Sequence, residues 1–159
     1  MYEKKENISY LSHCKICGNK KLKKVIRLNE QYISATFVES NKTNAYIDNI
    51  LKKKKIVLAF GASTKGNILL QHFGIGKNKI PFISERNPTK VGLRCVGTDI
   101  ELISEEKARN LKPKAMVVLP WYFKDEIVKR EKKYIDNGGE LMFPMPYPHV
   151  VTKKTEIKL

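Results

Sequence analysis

From Lys55 to Phe60 the chain reads KIVLAF, a short continuous apolar run such as a strand covered on both faces shows. Three further runs follow: KIPFIS ending before Glu85, AMVVLPW ending at Trp121, and ELMFPMP from Glu140. Helical patterns alternate with them. NILLQHF follows the first strand across a glycine loop, SEEKARNL reads as a helix capped by Ser104, and YFKDEIVKREKKYIDNGG reads as one helix closed by Gly138 and Gly139. Upstream, Ile47, Ile50 and Leu51 fall at helical spacing, with Asn44 as N-cap and a lysine-rich end that suits the helix dipole. The segment between Glu85 and Ser104 reads as a polar loop.

Strands alternating with helices at crossover spacing predict an α/β fold: a Rossmann-like parallel sheet with helices on both faces. This domain is expected over residues 44–159. Residues 1–43 carry few apolar clusters and are expected to form a small irregular appendage. A chain of 159 residues has room for one such domain and an appendage.

Charge adds a constraint on partners. Lys and Arg number 31 against 16 Asp and Glu, a formal charge of +15, and that field attracts nucleic acid, anionic lipid or phosphorylated ligands. The excess lies in lysine runs without interleaved Arg and aromatics, as solvated faces ordinarily show, so a nonspecific nucleic-acid-binding protein rests on charge alone. Cys14, Cys17 and Cys95 make an odd count, which argues against a disulfide framework. With no signal-type or membrane-spanning apolar stretch, the chain is expected to be soluble, cytoplasmic and free of membrane partners.

The loop FGASTKGN, residues 60–67, offers candidate chemistry. A Walker phosphate loop needs Lys and a hydroxyl residue after its last glycine, whereas Gly66 precedes Asn67, which excludes it. Gly61, Ser63 and Gly66 match the dinucleotide pattern with Ser in the middle position, and Glu85 stands where a carboxylate accepts from ribose hydroxyls. An NAD(P)-binding domain is therefore one reading. A tight strand-to-helix turn that binds nothing is another, since such a turn also requires small residues. Lys65 favours phosphate over the cationic sulfonium of S-adenosylmethionine.

Taken in order, FGASTKGN, ISERNPTKVGLRCVGTDIELIS, PKAMVVLPWYFKDEIV and NGGELMFPMP resemble the C-terminal domain of the sugar C-methyltransferase family, enzymes acting on nucleotide-linked deoxysugars. CKICGNKKLKKVIRLNEQYISATF resembles the opening of that family's N-terminal zinc-binding domain. The complete family places an S-adenosylmethionine domain between the two, and here that middle is missing. The resemblance thus implies a nucleotide diphosphosugar-binding module without a catalytic base, unable to transfer methyl groups alone, with a separate methyltransferase chain as a possible partner.

On this reading the substrate would meet Gly61, Ser63, Lys65, Gly66, Glu85, Arg86, Lys90 and Trp121. Amides near Ser63 and Lys65 would face the diphosphate. Trp121 would stack on a base or cover the end of the sheet. Tyr122 stands where the family commonly has Asn. His72 and His149 read as surface or packing residues. For zinc the chain offers Cys14 and Cys17 with His13, and the second cysteine pair is absent; a remnant turn and a zinc shared in a homodimer are the competing explanations.

Overall fold

The structure, a computed structural model, describes residues 12–14, 17–23 and 40–159. The chain divides into two units, Met1–Ala35 and Thr36–Leu159, and the second carries the sheet. After helix α1 (Ser40–Lys52) come strand β1 (Val57–Phe60), helix α2 (Thr64–His72), β2 (Phe82–Glu85), β3 (Glu101–Ser104), α3 (Glu105–Asn110), β4 (Ala115–Val118), α4 (Lys124–Arg130), α5 (Lys132–Asp136), β5 (Glu140–Phe143), β6 (His149–Val151) and β7 (Glu156–Lys158).

The strands form one sheet in the order β3-β2-β1-β4-β5-β6-β7. Neighbours among the first five pair parallel, while β6 and β7 pair antiparallel. The fold is α/β, with a mixed sheet. Alternate residues of β1 explain its unbroken apolar run, because they serve two cores. Val57 and Ala59 pack with Ile47 and Ile50 of α1 and Leu69 and Leu70 of α2. On the other face Phe60 packs with Ile127 of α4 and Ile135 of α5, and Leu58 with Ala108 of α3. Helices therefore cover both faces.

Several local expectations are corrected. Asn44 is not a cap, because α1 begins at Ser40; its Nδ2 donates to the Phe73 carbonyl at 3.0 Å, tying α1 to the end of α2. The polar loop before Ser104 contains β3, parallel to β2, in which only Leu102 and Ile103 are buried between two flanking polar residues. Ser104 both ends that strand and caps α3, accepting from the Lys107 amide at 3.2 Å.

The long helix expected over residues 122–139 is divided. Trp121–Phe123 forms a single 3₁₀ turn, and α4 and α5 are separated at Glu131, whose carboxylate turns inward to Arg109 and Arg130. Beyond β5 the chain returns antiparallel through β6 and β7. No helix among the described residues is long and apolar enough to cross a membrane.

Candidate functional site

At β1 the connections diverge, with β2 on one side and β4 on the other. Open α/β sheets bind ligands outside the carboxyl ends of strands at this switch point. Here the loop after β1 faces the segment after β4. Gly61 turns with φ +77° and donates to the Ser84 carbonyl at 2.8 Å, and a Cβ on it would stand 2.9 Å from the Pro120 ring. At Gly66 a Cβ would come within 2.4 Å of the Leu119 Cβ, so α2 approaches β4 more closely than any side chain permits. Both glycines have a structural requirement independent of any ligand.

Ser63 is the N-cap of α2, and its hydroxyl accepts from the Gly66 amide at 3.0 Å. The cap occupies that hydroxyl, while the amides of Thr64 and Lys65 lie in the first turn, where no intrahelical acceptor exists. They and the positive end of the helix dipole form the part of the loop suited to an anion.

Glu85 is buried, and each carboxylate oxygen accepts a backbone amide: Ala62 at 2.9 Å and Asn87 at 2.8 Å. It joins the loop after β1 to the loop after β2. Asn87 in turn caps the turn Pro88–Lys90, and the Lys90 ammonium donates to the Ala62 carbonyl at 3.3 Å. A cavity of about 300 Å³ is lined by Gly61, Glu85 and Arg86 together with Phe60, Pro120 and Phe123. Glu105, Glu126 and Arg130 also border it, so its charge is mixed.

Lys65 does not line this cavity; its ammonium lies 5.2 Å from the centre of the Tyr122 ring, so it links the start of α2 to the turn after β4. Trp121 is half-buried and packs against both cores, with Tyr122 edge-on to it at 5.3 Å. The indole covers the end of the sheet, and the exposed aromatic edge consists of Tyr122 and Phe123. Sequence reasoning noted Tyr122 but passed over Phe123; the run WYF was the available signal, and only the 3₁₀ turn turns its last two rings outward. Pro120, which meets Gly61, was likewise missed.

Of the remaining candidates, His72 ends α2, and His149 is buried, stacked on Phe143 with ring centres 5.1 Å apart. Neither lines the crevice cavity. Cys95 is half-buried, and burial pushes its thiol pKa up, with Glu85 adding to the rise and Lys90 opposing it.

In the first unit, the Cys14 amide donates to the Asn19 carbonyl at 2.9 Å and the Gly18 amide to the Cys14 carbonyl at 2.8 Å. This makes a tight turn beside Cys17, and His13 Nδ1 stands 3.0 Å from the Ser12 hydroxyl. A closed zinc site takes four ligands. Among the described residues no group of three or more His, Cys, Asp or Glu side chains comes together to hold a metal ion.

A family model described as C-methyltransferase C-terminal domain matches residues 19–146, which takes in β1 to β5 and all the crevice residues named above. The chain belongs to this family. C-methyltransferase NovU of Streptomyces niveus is 32% identical over 111 residues, a match covering 70% of this chain and 26% of NovU. The chain thus spans about a quarter of the length of the curated relative it matches. The family match ends before β6 and β7, the antiparallel strands that close one edge of this C-methyltransferase C-terminal domain.

Proposed function

We propose that this C-methyltransferase C-terminal domain binds a nucleotide diphosphosugar in the switch-point crevice and presents it to a methyltransferase domain, without transferring methyl groups itself. The observation that carries the reading is the array at the crevice: first-turn amides of α2, the ammonium of Lys65, and Arg86 in the cavity wall. A diphosphate suits amides and cations together. Tyr122 and Phe123 offer exposed faces for a base or sugar ring.

Glu85 favours this reading over a nicotinamide dinucleotide. Both its oxygens already accept amides, which makes it a brace between loops rather than an open acceptor for a ribose.

Calorimetric titration of the chain with diphosphosugars of uridine, thymidine, guanosine and cytidine tests the proposal. Saturable binding that NADH does not displace is expected, with no methyl transfer from S-adenosylmethionine by the isolated chain. Saturable NADH binding that no diphosphosugar displaces would overturn the ligand assignment, and methyl transfer by the chain alone would overturn the division of labour. Binding to random duplex DNA that disappears at moderate salt is the nonspecific effect expected of so basic a protein.

A further inference from the structure

At the opposite edge of the sheet, where β1, β4 and β5 begin, a groove of about 770 Å³ opens. It exceeds the switch-point cavity and falls within the range of small-molecule pockets. Six cationic side chains line it, Lys55, Arg109, Lys112, Lys114, Arg130 and Lys133, against the single carboxylate of Glu131.

Three of these cations have structural work. Arg109 and Arg130 neutralise Glu131 at 2.8 and 3.2 Å, and both also reach Glu105. Lys114 pairs with Glu140 at 2.7 Å and donates to the Gly138 carbonyl at 3.0 Å, satisfying an acceptor just past the end of α5. Lys55, Lys112 and Lys133 have no ion-pair partner among the described residues, and all three are exposed. Lys112 stands just after the cap of α3 with φ +47°, a left-handed position that glycine or asparagine ordinarily takes. A lysine there brings an ammonium to the groove at a backbone cost glycine would avoid. The Tyr134 hydroxyl donates to the Pro113 carbonyl at 3.1 Å, which leaves its ring as an apolar wall.

We infer that this groove is a second binding site, for a condensed phosphate: a run of two or three linked phosphoryl groups, carried on a nucleotide or free. A linked phosphate chain carries more charge and more acceptor oxygens than a lone phosphate, and so can engage more of Lys55, Lys112 and Lys133 along the groove. Lysine suits such a ligand as a mobile point charge. The groove shares Arg130 with the crevice wall, but Lys55, Lys112 and Lys133 border the groove alone, so loss of binding in their variants would leave the diphosphosugar reading untouched.

The experiment is titration of the full chain, at fixed ionic strength, with tripolyphosphate, ATP, AMP and orthophosphate. Saturable one-to-one binding of tripolyphosphate is expected, with AMP and orthophosphate weaker by at least about tenfold. Comparable binding of ATP would mean that the phosphate chain is recognised on a nucleotide; its exclusion would mean that the free chain is. The combined variant Lys55→Gln, Lys112→Gln and Lys133→Gln should weaken tripolyphosphate binding by at least about tenfold, while Lys129→Gln, Lys153→Gln and Lys154→Gln, an equal charge change on exposed residues outside the groove, should change it by less than about twofold. Lys133→Gln alone serves as the second variant should the combination fail to fold. Equal losses in groove and control variants, binding that does not saturate, or AMP binding as tightly as tripolyphosphate would each overturn the proposal.

Discussion

Glu85 reaches back from the end of β2 to accept the amide of Ala62 in the loop after β1, at 2.9 Å. The same carboxylate accepts the Asn87 amide at 2.8 Å, so one buried side chain sets the spacing of two crevice loops.

Replacing Glu85 by Gln turns one of those acceptors into a donor aimed at a backbone N–H. Hydrogen bonds to a charged group contribute about 1.5–3 kcal/mol each, and a donor facing a donor leaves a buried amide unsatisfied. Glu85→Gln is expected to lower unfolding stability by about 2–3 kcal/mol in urea denaturation. A loss below about 0.5 kcal/mol would show that the brace is dispensable.

The three glycines at Gly61, Gly66 and Gly74 separate two causes of strain. Gly74 has φ +63° with nothing near its missing Cβ, so Gly74→Ala should cost about 1 kcal/mol, the left-handed penalty alone. Gly61→Ala adds a clash with Pro120, and Gly66→Ala clashes with Leu119 without unusual backbone. Each should cost about 2–4 kcal/mol by chemical denaturation, well above Gly74→Ala.

How much of this was legible in the sequence depended on where each signal resided. β1 and the turn after it announced themselves because burial on both faces leaves a continuous apolar run and close packing demands glycine. β3 did not, because only Leu102 and Ile103 are buried between flanking polar residues, and β6 and β7 did not, being three residues long, with β7 exposed throughout. The break at Glu131 was hidden because a glutamate in KDEIVKREKKYID reads as solvated, and its partner Arg109 lies 22 residues earlier. At the crevice, residue positions were readable, but not what each polar atom does. Ser63 spends its hydroxyl on a cap and Glu85 its carboxylate on amides, and those partners exist only after the loops meet.

Lys65 faces the Tyr122 ring and no carboxylate among the described residues, so its charge is available to a ligand. Lys65→Ala should weaken diphosphosugar binding by about tenfold, the loss of one charge-assisted contact. Arg86→Ala should do the same by calorimetry, while Lys52→Ala on α1 should not. Equal affinity in all three variants would place the ligand elsewhere.

The Lys124 ammonium, 2.8 Å from Glu156, holds that carboxyl below the usual glutamate range and fastens β7 to α4. A depressed carboxyl pKa stabilises the fold above its unfolded value, about 4.3, and the contribution fades as pH falls through the lower folded value. Both side chains are partly solvated, so the effect should stay under about 1 kcal/mol. Stability of the native chain relative to Glu156→Gln should therefore shrink on acidification below about pH 4. A difference that is constant from neutral to acid pH would refute the linkage.

Glu131 is 2% exposed, whereas the side chains of its partners Arg109 and Arg130 are 43% and 33% exposed. The burial cost therefore falls on the carboxylate, and the two cations remain in reach of water. Breaking a buried pair costs about 3–5 kcal/mol when the orphaned charge is sealed in. In Glu131→Gln the charges left behind can hydrate, so the loss should sit nearer about 2 kcal/mol. Arg109→Ala leaves Glu131 with Arg130 at 3.2 Å and should cost less than Glu131→Gln, and the double variant should cost less than the sum of the two. Urea denaturation of all four proteins measures the coupling directly, and strict additivity would mean that Arg109 and Glu131 contribute independently despite their 2.8 Å contact.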